Sequence, residues 1–220
     1  MSVVIAIKKD NVVYMAADTM ITYGDSKRHL YSESSQKIWA VDDTPNCIMG
    51  ATGYLRDINL IHHCTNELVP EAAIIKEDLN IGIIMTYTVP TIFETIRNYT
   101  KVVTPEGQPI EFCSSFLYAY KNRLFSILPD GLVEEIDDYT AIGSGADAAL
   151  ASLKHSIDEP IYTRLIKALE AASDISLYVS APYVCINTKD TTLYDLCLGD
   201  GENEDNEDSV DESSAVEEEN

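Results

Sequence analysis

The sequence predicts an α+β fold in which antiparallel sheets carry helices on their outer faces, and three observations predict it. Strands and helices come in runs rather than in strict alternation, which argues against a doubly wound parallel sheet. The chain opens on an apolar hairpin, MSVVIAIKKDNVVYMAAD, with nothing in front of it. No GxGxxG or GxxxxGK(S/T) run is present to mark a nucleotide-binding strand-to-helix turn.

The elements follow in order. Val3 to Ile7 form an apolar, largely β-branched run, Lys8 to Asn11 read as a polar turn, and Val12 to Ala17 resume the run. Chain ends are tied down only where a contact requires it, so a strand that starts at once implies a held amino end. Lys37 to Val41 and Cys47 to Met49 read as two more short strands around the turn DDTPN. Tyr54, Ile58, Ile61, Cys64 and Leu68 recur at helical spacing, and Val89, Ile92, Phe93, Ile96 and Tyr99 do so again after a poorly patterned stretch.

Phe112 to Tyr120 and Leu124 to Leu128 flank Lys121-Asn122-Arg123, and Pro129-Asp130-Gly131 turns the chain into Leu132 to Ile136, an antiparallel meander. A helix starts at Ser144 and carries Ala149, Leu150 and Leu153. A second places Ile161, Leu165, Ala168, Leu169 and Ala172 on one stripe, with Pro160 at its start. Strands near Tyr183 to Asn187 and Thr192 to Cys197 close the domain. The order is four strands, two helices, four strands, two helices and two strands, which implies two similar halves.

Composition sets the bounds. A chain of 220 residues with 45% hydrophobic content can bury the core of one domain. That domain is expected over residues 1–199. Residues 200–220 hold 11 acidic residues and no basic one, half of the formal charge of −22. They lack aromatics and large aliphatic residues, so they are expected to be a disordered acidic tail. An acidic chain is poorly suited to gripping nucleic acid phosphates. No stretch reaches the roughly 18 uncharged apolar residues of a membrane span, and Lys8 and Lys9 interrupt the first run too early for a signal peptide.

A soluble cytoplasmic protein is the expectation. Cys47, Cys64, Cys113, Cys185 and Cys197 are odd in number and sit in apolar segments, which fits buried free thiols better than disulfides. His29, His62, His63 and His155 show no metal-ligand spacing, and His62-His63 reads as a solvated helix face. Neither a metal nor a cofactor is expected.

Three segments together resemble the β-type subunits of the proteasome, and among them the HslV family of bacterial peptidases. They are the hairpin ending in Ala16-Ala17-Asp18, Lys37-Ile38 leading to Met49-Gly50-Ala51-Thr52-Gly53, and Ala141-Ile142-Gly143-Ser144-Gly145 running into KALEAASDISLY. The likeness covers residues 2 to 188 in order and spacing. It implies a four-layer α-β-β-α sandwich and an N-terminal nucleophile hydrolase, which gives a reason for a strand at residue 2.

On this resemblance Ser2 stands where the family has its mature N-terminal threonine, and Met1 is removed to expose it. The hydroxyl of Ser2 is the nucleophile and its own α-amine the base. Lys37 supplies positive charge beside it, Asp18 pairs with that lysine, Ser144 bonds the amine side, and the Gly50 N–H is the oxyanion donor. Asp174 stands where HslV-like chains keep an acidic residue, and Ser176 where the proteasome branch has its aspartate. Pro90 falls inside what should be helix.

The implied activity is hydrolysis of unfolded polypeptide inside a homo-oligomeric ring, with an ATP-driven (AAA+) unfoldase as a further partner. The Tyr54 to Leu68 face would then bury against sister subunits. A catalytically silent ring scaffold and a small-amide acylase are the alternatives.

Overall fold

The computed structural model describes residues 2–32, 35–64, 68–76, 79–100 and 114–196. Met1, Cys113, Cys197 and the acidic segment expected from residue 200 lie outside them. The chain folds as an α-β-β-α sandwich of two five-stranded antiparallel sheets.

The first sheet contains β1 (Val3–Lys9) and β2 (Val12–Asp18), with β10 (Tyr139–Gly143), β11 (Tyr183–Asn187) and β12 (Tyr194–Leu196), in the order β10-β1-β2-β11-β12. The second runs β5 (Ile38–Ala40), β6 (Cys47–Thr52), β7 (Ser115–Tyr120), β8 (Arg123–Ile127) and β9 (Val133–Ile136) in sequence order. Between them in the chain a separate two-stranded hairpin, β3 (Met20–Tyr23) and β4 (Ser26–His29), projects from the sandwich.

The expected division into two sequence halves does not describe the packing. Each sheet takes strands from both halves, because β1 pairs with β10 on one side and β2 pairs with β11 on the other. The apparent duplication is a repeat of element order only.

The apolar runs are explained by burial on both faces of each sheet. In β1, Val3, Ile5 and Ile7 pack against α5 (Ala146–His155) and α6 (Ile161–Ile175) with Leu153, Leu165 and Leu169. Val4 and Ala6 point the other way, into the layer between the sheets, where they meet Met15, Ile38, Ile48 and Leu117. A strand facing core on both sides has no polar alternation to show, only its length and flanking turns.

The outer face of the second sheet packs on α1 (Leu55–Cys64), α2 (Glu71–Lys76), α3 (Ile81–Ile83) and α4 (Val89–Thr100). Ile58, Ile61 and Leu68 are buried there, in the chain's own core. The apolar stripe of Tyr54–Leu68 expected to meet sister subunits is therefore largely committed to the chain's own core, with Tyr54 exposed at its edge.

Pro90 is accommodated by a local widening of the helix. Between α3 and α4, Ile84–Thr88 forms a π-helical turn in which the Val89 N–H reaches back to the carbonyl of Ile84. Proline offers no N–H and its ring crowds the carbonyl four residues earlier, so a wider turn just before it lets the helix continue.

His62 corrects the reading of the histidine pair as a solvated face. It stacks on Trp39 at 4.8 Å between ring centroids, with only His63 fully exposed. Burial, then the repulsion of His63, lowers His62 from 6.5 to about 4, against the opposing pull of Asp42. Cys47 and Cys185 are buried thiols and Cys64 a half-buried one, none of them joined in a disulfide. Among the described residues no helix is long and apolar enough to cross a membrane.

Candidate active site

The site forms where the open ends of β1, β2, β6 and β10 meet. Ser2 precedes β1 and is 6% exposed. The next residue fixes it, because the Val3 N–H donates to Asp18 Oδ1 at 3.0 Å from the last position of β2. Asp18 Oδ2 lies 2.8 Å from Lys37 Nζ, and the two side chains are 0% and 1% exposed. Lys37 Nζ also donates to the Met20 carbonyl at 2.5 Å.

This ion pair spans the gap between the two sheets. Burial draws Lys37 below its ordinary 10.5 and pushes Asp18 above its ordinary 3.8; each partner's charge opposes the other's shift. The carboxylate is further held by the backbone N–H groups of Val3 and Met20.

From the other side comes the turn after β10. The Ser144 hydroxyl donates to the Ser2 carbonyl at 3.3 Å. Gly143 has φ +98°, and a Cβ there would stand 2.2 Å from the Ser2 carbonyl oxygen. Only glycine allows the two main chains to approach so closely. Ser144 Oγ also lies 3.3 Å from Ser176 Oγ, and Ser176 Oγ accepts from the Tyr178 N–H.

Asp174, the acidic member expected at this point, is exposed on the last turn of α6 and does not line the cavity beside Ser2. The residue that reaches Ser144 is Ser176, two positions later, where the chain has left the helix.

Gly50 is also displaced from its expected role. It lies within β6, not on a turn, opposite Ile38 on one side and Leu117 on the other. The Ala51 N–H donates to the Lys37 carbonyl, and alternation turns the Gly50 N–H the other way, into the ladder with β7. A Cβ on Gly50 would meet Val4 Cγ1 at 2.7 Å, so this glycine serves the close contact of the two sheets. The glycine at the cavity is Gly53, beyond the end of β6 and exposed, with φ +129°.

Ser2, Lys37, Gly53, Gly143 and Ser144 line one cavity of about 910 Å³. The β3–β4 hairpin supplies another part of its wall through Ile21, Thr22, Tyr23 and Gly24, and the entry to α1 supplies Tyr54, Leu55 and Arg56. Sequence reading brought Ser2, Asp18, Lys37 and Ser144 to one place, as found here. It missed Gly53, Gly143 as a contact residue, and the hairpin. Gly53 had a visible signal, being the last glycine before the helix that begins at Leu55.

These features define a member of a known class. The sequence model of the proteasome subunit family matches residues 2–179, and the chain belongs to that family. Its fold is similar to that of Thiobacillus denitrificans BPH solved in complex with epoxomicin, with a TM-score of 0.68 and 18% identity over 89% of this chain and 100% of that one. It is also similar to HslV from Trypanosoma brucei (TM-score 0.56, 18% identity, 84% and 98% covered). A third is Anbu, the ancestral beta-subunit, from Yersinia bercovieri (TM-score 0.60, 17% identity, 90% and 88% covered). Direct sequence comparison with curated proteins gives no match.

Proposed function

We propose that this proteasome-type subunit is a peptidase whose nucleophile is Ser2, with its amine freed by removal of Met1. The observation that supports it best is the placement of Ser2. A residue at the very start of β1 is 6% exposed, lines a large cavity, and adjoins a buried Lys37–Asp18 pair.

The chemistry follows from those groups. A free α-amine titrates at about 7.7 to 8.0, so at neutral to mildly alkaline pH a useful fraction can accept a proton. The Ser2 hydroxyl attacks the substrate carbonyl as its proton passes to the amine, directly or through water. Positive charge at Lys37 lowers the proton affinity of the hydroxyl. The Gly53 N–H stabilises the developing oxyanion. Collapse expels the leaving amine, which takes the proton back, and leaves an ester on Ser2. Water, giving its proton to the same α-amine, then cleaves that ester and restores Ser2.

A protein substrate inside a homo-oligomeric ring is part of this reading, as are a cytoplasmic setting and an ATP-driven unfoldase that delivers unfolded chains. Ile175 and Leu177, exposed to 80% and 76% at the end of α6, form an apolar surface available to a sister subunit.

The test combines two measurements on protein isolated from cells. Intact mass is expected to show cleavage before Ser2, and epoxomicin, the ligand in the Thiobacillus BPH structure, is expected to form an adduct there. An epoxyketone needs both hydroxyl and free amine of one residue. Ser2→Ala is expected to abolish hydrolysis and the adduct while the melting temperature holds. Retained Met1 with no adduct would refute the peptidase reading in favour of a silent scaffold, and native mass separates ring from monomer.

A further inference from the structure

We infer that the cavity beside Ser2 selects peptides carrying a carboxylate side chain close to the bond that is cut, through Arg56; this rests on the peptidase reading above. The charge inventory of the cavity wall motivates it. Among the described residues two cations line the cavity, Lys37 and Arg56, and no aspartate or glutamate does, in a chain of net charge −22. Lys37 is buried and engaged with Asp18 and Met20. Arg56 is 56% exposed.

Its anchoring decides which of its donors remain. Arg56 Nε and Nη2 donate to the same oxygen, Asp57 Oδ1, at 3.2 and 3.0 Å. Asp57 is 2% exposed, and its other oxygen accepts from the Ser114 hydroxyl at 3.3 Å. The guanidinium is thus held by one edge against a buried carboxylate. A planar guanidinium has five N–H groups, and an Nε–Nη2 grip leaves the two parallel N–H groups of the Nη1–Nη2 edge. That edge matches a second carboxylate in bidentate geometry.

The rest of the wall is neutral, with Ile21, Leu55 and Ile58 giving apolar contact to the stem of a glutamate. A lysine or arginine side chain in the same place would face the guanidinium donors of Arg56 and find no carboxylate among the described lining residues to accept from it. Asp57 lowers the net charge of the wall but offers a ligand no acceptor, since its oxygens are buried and taken by Arg56 and Ser114.

Binding can be measured without turnover. Fluorescently labelled heptapeptides that differ only in one central residue, Glu, Leu or Arg, are titrated into Ser2→Ala protein by anisotropy at low salt. The Glu peptide is expected to bind about tenfold more tightly than the Arg peptide, and Arg56→Gln on the Ser2→Ala background is expected to remove most of that difference. The Leu peptide is expected to change less than twofold. Raising salt on the unaltered Arg56 protein is expected to weaken the Glu peptide selectively, a readout that no folding defect can imitate.

Equal affinities, no binding by any peptide, or a Glu preference that survives Arg56→Gln would overturn the inference. Hydrolysis by the wild-type protein is scored separately. Its absence counts against the peptidase reading, whereas the anisotropy result decides on Arg56.

Discussion

The two walls of the cavity hold the same kind of pair in opposite ways. On the β1–β2 wall, Lys37 and Asp18 are both buried and every partner is internal. On the α1 wall, Asp57 is buried but Arg56 is more than half exposed. A pair with both members desolvated is a positioning device whose loss leaves a bare charge in the interior. A pair with its cation at the surface desolvates only the carboxylate and leaves donors of the cation for something else. On the peptidase reading proposed above, one wall serves the chemistry and the other recognition.

The most severe test of that contrast is to remove the cation from each wall. Lys37→Met is expected to cost about 3 kcal/mol of stability, because Asp18 is left buried and unpaired, and to lower hydrolysis at least about a thousandfold. Arg56→Gln is expected to cost less, about 1–2 kcal/mol, because Asp57 keeps the Ser114 hydroxyl and the glutamine amide and water at the exposed side can replace part of what the guanidinium donated. Urea melts of the two variants side by side check this. Equal destabilisation would remove the distinction between the walls.

Next in size is Gly143→Ala, which acts on the buried wall with no change of charge. The added methyl would sit 2.2 Å from the Ser2 carbonyl oxygen at a residue with φ +98°. Ser2 must shift, and a displacement near 1 Å is expected to lower activity about a hundredfold. Crystal structures of the variant and wild type would show the shift. Unchanged kinetics would mean that the position of the Ser2 main chain does not matter to the reaction.

The same contrast explains what could be read from the sequence. The buried wall was legible because burial constrains residue types. The Val3–Ile7 run, Asp18 after it, Lys37 before a strand and Ser144 in the AIGSG turn all stand out, and the structure places them together. The exposed wall was not. In the β3–β4 hairpin, MITY and SKRH, only Met20 is buried and the pair belongs to no larger sheet, so it shows no apolar alternation. Arg56 reads as one surface charge among many until Asp57 is seen buried beneath it.

Gly50 and Gly53 are three residues apart in one motif, and what separates them is strand parity and the point where β6 ends. Neither can be read locally. Asp174 and Ser176 differ in the same way, by where α6 stops.

A smaller effect is expected between α1 and the second sheet, where His62 stacks on Trp39. Its value in the fold, about 4, lies below the ordinary 6.5, so the unfolded chain binds a proton that the folded chain refuses. Stability from this source is therefore complete above about pH 6.5 and declines as pH falls toward 4. Allowing for the partial exposure of the ring, the loss between pH 7.5 and 5.5 is on the order of 1 kcal/mol. His62→Gln is expected to flatten that part of the pH profile in urea melts. An unchanged slope would show that His62 is not its source.

The smallest effect is expected from deleting residues 200–220. Nothing in their composition offers an apolar anchor, so the melting temperature is expected to stay within about 1 °C. The point of departure nevertheless bears on the cavity. Leu196 at the end of β12 pairs with Tyr183, and Tyr183 pairs with Asp18, so the chain leaves the first sheet at the same end as Ser2. Ser2 precedes the strand beside β2, which puts the exit three strand spacings away, roughly 15 Å.

Residues 200–220 carry eleven acidic residues and no basic one, so their charge is expected to oppose the binding of a carboxylate peptide. At 0.1 M salt the screening length is only about 10 Å, so the effect is weak. Truncation is expected to raise the affinity of the Glu peptide about twofold at low salt, with no change for the Leu peptide and no difference at 0.5 M salt. A gain that persists at high salt would mean that the tail blocks the cavity by occupying it, and a fall in melting temperature would mean that it belongs to the fold.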